Sequence, residues 1–190
     1  MKRFLLFSTA LAGLTAFAPV IAETNTVGLV APAPILVTMA GRYEYLSKLY
    51  YEGTEHPRQP RSLVVLNFMG LKCPPCRKEL PLFLEVMRHV TERSKDGRGR
   101  IKFFLVSTDP LSDKDELRKF MEEQKIDPNT ELLLDPYRKA CEKFGVTGIP
   151  RTFVISPQGR IAAEVAGSVE DYKTLLENGI SDALKAEEGK

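Results

Sequence analysis

The sequence is poor in the residues from which metal and haem sites are built. It has no tryptophan, only two histidines and only three cysteines. A structural zinc site needs four ligands, and the chain has neither a second Cys pair nor a His pair to complete one, because His56 and His89 stand far apart. A c-type haem motif needs His directly after its second Cys, and Arg77 occupies that position. Zinc and covalent haem are therefore not indicated.

An excess of charge of one sign is also missing. The formal net charge is +2, and two of the 27 basic residues lie in the first 22 residues, which leaves 25 against 25 acidic residues. No basic tract indicates nucleic-acid binding. Three cysteines in 190 residues do not make a disulfide-stapled scaffold. The length and the 43% hydrophobic content suit one globular domain preceded by a leader.

The N-terminus has the pattern of a leader. Lys2 and Arg3 precede an uncharged, mostly apolar stretch at 4–18, and small residues at 20–22 offer a cleavage site. The sequence therefore predicts a cleaved signal peptide over residues 1–22 and export of the mature chain. An uncleaved membrane anchor is the alternative, although polar, Gly and Pro residues dilute the apolar stretch.

The most informative stretch is an apolar run at 63–68 followed by Gly70 and a Cys-Pro-Pro-Cys sequence at 73–76. The run has apolar residues for both faces and is typical of a central strand. Proline is favoured in the first turn of a helix and disrupts its interior, so the two adjacent prolines place a helix start at the motif. The chain therefore predicts a strand, a tight loop and a helix, with two thiols at the junction.

The two thiols differ in their predicted surroundings. Cys73 lies at the helix N-terminus, where the partial positive charge favours the reactive thiolate, and Lys72 and Arg77 add positive charge. Cys76 lies one turn further in and is expected to be more buried. Residues three apart in a helix are close enough for their sulfurs to bond. A structural disulfide is possible, but the prolines and the helix start favour an exchangeable pair.

The rest of the chain alternates strands and helices and ends in a hairpin, which predicts an α/β fold with a mixed sheet. Residues 42–51 are ambiguous between helix and strand. A capping box at Asp113 and Glu116 predicts the start of one helix. The expected strands are 63–68, 101–107, 131–134, 151–156 and 160–166, and the expected helices are 74–95, 113–125, 136–144 and 171–186.

The third cysteine, Cys141, lies in the predicted helix at 136–144. It shares a helix face with Tyr137, Ala140 and Phe144. This face predicts a buried core position, and a redox role is the less favoured alternative.

Two motifs in order carry a family resemblance. Residues 68–81, with the Cys-Pro-Pro-Cys at their centre, resemble the active site of the thioredoxin superfamily, and residues 144–155 are similar to its cis-proline segment. Residues 113–134 resemble the insertion of the TlpA/ResA/CcmG branch of exported thiol-disulfide oxidoreductases. The resemblance spans roughly residues 60–185 and implies a thioredoxin-like fold with a central mixed sheet flanked by helices. It divides the mature chain into an N-terminal extension (23–60) and a thioredoxin-like domain (61–190).

The resemblance also implies roles for single residues. Cys73 matches the nucleophile, Cys76 the resolving thiol, and Pro150 the cis-proline that faces the disulfide. Glu79 matches an acidic residue of this branch and is the candidate for proton management. Asn67 occupies the place where cytoplasmic thioredoxins have a buried Asp. The alternatives are that Glu79 is a first-turn acid favoured by the helix dipole and that Pro150 is an ordinary trans loop proline.

Client contact is expected around the motif. The backbone at Ile149 could pair with an extended client segment as an added strand, and Lys72, Pro74 and Pro75 surround the nucleophile. The chain departs from the family in having Met69 and Lys72 where Trp is usual.

Together these features predict a periplasmic oxidoreductase that reduces disulfides in client proteins, for example in cytochrome c maturation or copper-site assembly. The resemblance implies a membrane thiol-disulfide electron donor as partner, and no organic cofactor is expected. The composition indicates neither a metal site nor nucleic-acid binding, and a monomer is expected. One alternative is a disulfide oxidant or isomerase that uses the same residues. Another is a non-catalytic metal- or haem-assembly chaperone that uses the thiols as ligands.

Overall fold

The computed structural model describes residues 26–50, 61–93, 100–126, 130–167 and 169–188. The predicted signal peptide at 1–22 lies outside these ranges, and the domain boundaries stay predictions. Among the helices within these ranges, none is both long and apolar enough to cross a membrane.

The described residues form one seven-stranded sheet with helices on both faces. The strands are β1 Ile35–Thr38, β2 Tyr43–Tyr45, β3 Ser62–Met69, β4 Arg100–Ser107, β5 Glu131–Leu134, β6 Arg151–Ile155 and β7 Ile161–Ala166. The α-helices are α1 Ser47–Tyr50, α2 Pro74–Arg93, α3 Lys114–Glu123, α4 Lys139–Phe144 and α5 Tyr172–Glu188. The strand order is β2-β1-β5-β4-β3-β6-β7, with parallel and antiparallel pairs. The predicted α/β fold with a central mixed sheet is confirmed.

Strand β3 lies at the centre of the sheet. It pairs in parallel with β4 and antiparallel with β6, and all eight of its residues are buried. Its side chains contribute to the cores on both faces of the sheet, which explains why its sequence shows no alternation of apolar and polar residues. The prediction of a central strand is confirmed, and the loop that follows it carries the two cysteines.

Each face of the sheet has its own core. On one face α2, α3 and α5 pack, and the predicted stripe of α2 supplies Leu80, Phe83 and Val86 as buried residues. On the other face α1 and α4 pack around Phe68, Phe144 and Phe153. The Phe144 and Phe153 ring centroids lie 4.9 Å apart, and those of Phe68 and Phe153 lie 5.9 Å apart in an edge-to-face contact.

Part of the predicted N-terminal extension belongs to this sheet. Strands β1 and β2 form a hairpin, and β1 pairs antiparallel with β5. The ambiguous residues 42–51 supply the short strand β2 and the single turn α1. Ahead of them, the Gly28 N–H donates to the Ile161 carbonyl at 2.8 Å, so the chain also lies against β7.

One predicted helix start is confirmed and another is wrong. Helix α3 begins after Asp113, its N-cap residue as predicted, but the predicted capping hydrogen bond is not made, and the Asp113 carboxylate accepts from Ser112 Oγ at 2.9 Å instead. Helix α4 begins at Lys139 rather than residue 136, because Arg138 adopts a left-handed conformation with φ of 53° outside the helix. Tyr137 therefore precedes α4 and is 77% exposed, rather than lying on its buried face.

Candidate active site

The Cys-Pro-Pro-Cys sequence lies where the structure changes from strand to helix. Cys73 directly precedes α2, and both prolines are in its first turn. Cys73 and Cys76 are joined by a disulfide, with Cα atoms 5.2 Å apart. Cys76 is only 3% exposed, whereas Cys73 is partly exposed. The prediction that Cys76 is the more buried thiol is confirmed.

Backbone groups surround the Cys73 sulfur. The Cys76 N–H points at Cys73 Sγ at 3.2 Å, and the Ile149 carbonyl oxygen lies 3.8 Å from the same sulfur. Amides at a helix N-terminus favour negative charge. Of these two groups, the Cys76 amide is the one that would favour a thiolate on Cys73 once the disulfide is reduced.

The loop before β6 closes the other side of the site. The Ile149–Pro150 peptide bond is cis, as the resemblance implies. The Pro150 carbonyl accepts from the Gly167 N–H at 3.0 Å, which ties the loop to the end of β7. A Cβ atom on Gly70 would lie 3.1 Å from Ile149 Cδ1, so glycine at position 70 allows the two loops to pack closely.

A buried polar chain runs from the central strand into α5. The Asn67 amide nitrogen donates to Glu79 Oε1 at 3.0 Å and to Thr152 Oγ1 at 2.8 Å. Thr152 Oγ1 lies 3.0 Å from the Tyr172 hydroxyl. The four residues come from β3, α2, β6 and α5, and all are buried. Sequence reasoning named Asn67 and Glu79 but missed Thr152, whose polar side chain in an apolar strand was the available signal, and Tyr172, for which no signal exists.

Glu79 carries an unusual carboxyl group. Burial raises its pKa to about 7, against a smaller lowering influence of the Asn67 amide and the Tyr172 hydroxyl. Its second oxygen, Oε2, has no hydrogen-bond partner among the described protein atoms. Burial and the Glu79 charge raise the pKa of Tyr172, so that this hydroxyl keeps its proton. Glu79 therefore titrates near neutral pH, three residues after Cys76 in the same helix.

The residues predicted to contact clients lie around Cys73. Lys72, Pro74 and Pro75 are exposed, and Ile149 is partly exposed. Lys72 Nζ lies 3.9 Å from an Asp113 carboxylate oxygen. Met69, at a position where the family usually has Trp, is buried in the core rather than displayed at the surface.

Asp109 and Arg77 hold the loop before Cys73, and neither was predicted from the sequence to have this role. The Leu71 N–H donates to the Asp109 carboxylate, with distances of 2.9 and 3.1 Å to its oxygens. Arg77 Nε donates to the Leu71 carbonyl at 2.9 Å. The carboxyl ends of the parallel neighbours β3 and β4 meet at one edge of the sheet. The position of Asp109 just after β4 could therefore have indicated a role at this edge, but it was not used.

Cys141 is not part of this site. It is buried in the core on the other face of the sheet, as predicted. Burial, followed by the charge of Asp135, raises the pKa of its thiol to about 12. Within the described ranges, no three His, Cys, Asp or Glu side chains gather as a metal site would require.

Comparison of sequences places the chain among thiol-exchange proteins. Residues 54–164, more than half of the chain, match the model of the AhpC/TSA family. The thiol-disulfide oxidoreductase ResA of Bacillus subtilis (strain 168) is 27% identical over 162 residues, which cover 83% of this chain and 79% of that protein. The thiol:disulfide interchange protein DsbE homolog of Paracoccus denitrificans (strain Pd 1222) is 28% identical over 166 residues, 85% of this chain and 79% of that protein.

Comparison of structures agrees on the fold. A thiol:disulfide interchange protein from Bacteroides sp. superposes with a TM-score of 0.61 at 24% identity, over 84% of this chain and 90% of the other. A thioredoxin-family thiol:disulfide interchange protein from Chlorobium tepidum TLS gives 0.58 at 22% identity, over 86% and 99%. With the family match, the thioredoxin-like fold and the close cysteine pair, the chain belongs to the AhpC/TSA family and is a thiol-disulfide oxidoreductase.

Proposed function

We propose that this protein is exported and reduces disulfides in client proteins, with Cys73 as the nucleophile and Cys76 as the resolving thiol. The observation that carries the proposal is the contrast within the pair. Cys73 is partly exposed and its sulfur faces the Cys76 amide at the start of α2, whereas Cys76 is buried. The accessible, amide-stabilised sulfur suits attack on a client, and the shielded sulfur suits attack on Cys73.

The first step links the client to the protein through a disulfide. The Cys73 thiolate attacks a sulfur of the client disulfide, so that a Cys73–client bond forms and the client disulfide breaks. The other client sulfur leaves as a thiolate and takes up a proton. The product is a mixed disulfide.

The second step releases the client. Cys76 loses its proton and attacks Cys73 Sγ, so that the intramolecular disulfide forms and the Cys73–client bond breaks. The second client sulfur leaves as a thiolate and is protonated. Over both steps the client gains two electrons and two protons, and the Cys73–Cys76 dithiol is oxidised to the disulfide.

Glu79 is the proposed proton acceptor for Cys76. It is buried one turn further along α2, and its pKa of about 7 lets it take and return a proton near neutral pH. Its free oxygen, Oε2, is the atom available for that proton. Asn67 holds the other oxygen and so orients the carboxyl group.

The client chain is proposed to lie across Ile149 and Pro150. The Ile149 carbonyl is already 3.8 Å from Cys73 Sγ, so a client strand paired with the backbone there would bring its disulfide to the nucleophile. Lys72, Pro74 and Pro75 are exposed around this path and would contact the client as well.

The setting proposed for this chemistry is the periplasm, reached through a cleaved signal peptide at residues 1–22. The family resemblance supports a membrane thiol-disulfide donor that returns the pair to the dithiol, and clients such as apocytochrome c or a copper-site protein. The protein is proposed to work as a monomer without an organic cofactor.

A redox titration tests the direction of transfer. A reductant should have a Cys73–Cys76 potential nearer to the about −270 mV of thioredoxin than to the about −120 mV of the oxidant DsbA. A value near the latter would assign the protein to disulfide formation instead.

Trapping tests the two cysteine roles. In a Cys141→Ala background, Cys76→Ser should accumulate mixed disulfides with clients, because the resolving step is lost. Cys73→Ser in the same background should accumulate none. Equal trapping by the two variants would contradict the assigned order of attack.

A further inference from the structure

The loop between β3 and the nucleophile is held by side chains from outside it. Leu71 lies two residues before Cys73. Its N–H donates a hydrogen bond to the Asp109 carboxylate, and its carbonyl accepts one from Arg77 Nε. The Leu71 side chain is itself buried. Both backbone groups of one loop residue are thus bound by charged groups, which form stronger hydrogen bonds than neutral ones.

Asp109 is itself fixed from the end of β4. Ser107 Oγ donates to Asp109 Oδ2 at 2.8 Å, and the Asp109 N–H donates to Ser107 Oγ at 3.1 Å. Next to it, the Thr108 N–H donates to the Met69 carbonyl at 2.9 Å. Because Ser107 is completely buried, the carboxylate that holds Leu71 is attached to the rigid centre of the sheet.

Arg77 holds the loop from the helix side. Its guanidinium carbon lies 5.2 Å from the centre of the Phe120 ring, so the cation rests on a buried aromatic side chain of α3. This contact restricts the side chain and leaves Nε directed at the Leu71 carbonyl.

The held loop determines where the Cys73 sulfur lies. The Cys73 N–H donates to the Gly70 carbonyl at 3.3 Å, so residues 70–73 form one continuous turn. We propose that Asp109 and Arg77 are positioning residues that hold this turn, and through it keep Cys73 Sγ aligned with the Cys76 amide and beside the Ile149 carbonyl. The catalytic consequence rests on the proposed function, whereas the positioning itself does not.

Geometry and charge predict opposite effects for removal of Asp109. If the carboxylate acted through its negative charge, its loss would lower the pKa of Cys73 and speed alkylation. If it acts by holding Leu71, its loss frees the turn, weakens the alignment with the Cys76 amide and moves the pKa of Cys73 up toward the about 8.5 of a free thiol. Asp109→Asn separates the two, because it removes the charge but keeps an oxygen acceptor for the Leu71 N–H.

The experiment measures the rate of Cys73 alkylation by iodoacetamide against pH in the fully reduced protein, in a Cys141→Ala background. Asp109→Ala and Arg77→Met should each slow alkylation at pH 7 by at least about threefold and shift the profile to higher pH. Asp109→Asn should restore most of the loss. Asp113→Asn and Lys78→Met are matched controls, because they remove the same charges near the motif without a contact to Leu71, and both should leave the rate within about twofold.

Hydrogen exchange of the Leu71 amide shows whether a variant has lost only the turn or its whole fold. In the wild type this amide should be protected, and in Asp109→Ala it should exchange faster while amides of β3 stay protected. An unprotected Leu71 amide in the wild type would overturn the positioning role. A faster alkylation in Asp109→Ala, or no rescue by Asn, would overturn it too. If the positioning results hold but the wild type exchanges with no protein disulfide, the proposed function alone fails.

Discussion

Cysteines lie at the starts of two helices of this protein, and the surroundings of Cys73 and Cys141 are opposite. Cys73 directly precedes α2, and the Cys76 amide points at its sulfur. Cys141 is the third residue of α4, where the amides of Ala140 and Cys141 donate to the carboxylate of Asp135 at 3.1 and 2.9 Å. In α2 the first free amide faces a sulfur, and in α4 two of the first amides face a carboxylate.

The difference shows that a helix start does not by itself make a reactive thiol. At α4 the Asp135 carboxylate satisfies the free amides, and the Cys141 sulfur is left with burial and a neighbouring negative charge, which raise its pKa to about 12. At α2 the prolines remove competing N–H groups, and the sulfur itself meets an amide. Reactivity follows both from how deeply the sulfur is buried and from which group the helix amides meet.

The largest effect on activity is expected from replacement of Cys73, whose sulfur faces the Cys76 amide. Cys73→Ser should lower the rate of insulin disulfide reduction by at least about 10³-fold, because no other accessible thiolate replaces the nucleophile. Cys141→Ser is the matched change in the other helix and should keep most of the activity per folded molecule. A Cys73→Ser variant with substantial activity would show that the accessible cysteine is not the nucleophile.

The next largest effect concerns Glu79, and here the sign of the pH dependence is decisive. Burial raises the pKa of this carboxyl from the ordinary glutamate value of 4.5 to about 7, so the folded protein binds the proton more tightly than the unfolded chain does. Its contribution to stability is therefore full below pH 4.5 and is lost as the pH rises through 7. The total loss is on the order of 3 kcal/mol.

Glu79→Gln should remove this dependence, because the amide keeps an oxygen for Asn67 but does not titrate. Urea unfolding of the disulfide-bonded forms at pH 5 and pH 8 measures it without interference from thiol ionisation. The variant should gain stability relative to the wild type between the two pH values. A difference that stays the same at pH 5 and pH 8 would mean that Glu79 titrates as an ordinary carboxyl, and its proposed proton role would lose its support.

Asp135 offers a smaller effect that sharpens the comparison of the two helix starts. Asp135→Ala should cost about 1–2 kcal/mol of stability, because two amides of α4 lose their acceptor, whereas Asp135→Asn should cost less. Both changes should lower the pKa of Cys141, yet leave it above that of Cys73, because burial is the larger cause of the shift. Alkylation of Cys141 in the folded protein at the same rate as Cys73 would contradict this order.

Sequence reasoning was accurate where local chemistry decides the structure. An apolar run with no alternation predicts β3, and the prolines at 74 and 75 predict the start of α2, because both signals act within a few residues. Two details at helix starts were wrong, the capping hydrogen bond of Asp113 and the start of α4, and both depend on acids with several available partners. Asp113 stands at a capping position but accepts from Ser112, whereas Asp135 accepts from two amides five and six residues further on.

The site could be predicted only in part, for a similar reason. The thiols and the cis proline are carried by motifs, but the polar chain that includes Glu79 draws its other members from three further elements of the sheet and its helices. Asp109 reaches Leu71 across 38 positions of sequence, because β3 and β4 are parallel neighbours. Hydrophobic periodicity places such residues on a face of an element, and it does not tell which side chain of the next element they meet.

The smallest effect on activity is expected at Cys141, in the helix whose first amides face the Asp135 carboxylate. Cys141→Ala removes one sulfur from a core that also contains Phe144 and Ala140, so it should cost about 1 kcal/mol of stability, partly offset by the higher helix propensity of alanine. Cys141→Ser should cost more, because a buried hydroxyl needs a hydrogen bond. Both variants should reduce insulin at the wild-type rate per folded molecule, and native Cys141 should resist alkylation at pH 8 until urea unfolds the protein. Loss of activity in a folded Cys141→Ala variant would show that the buried thiol takes part in exchange, and that burial and the Asp135 carboxylate do not keep it unreactive.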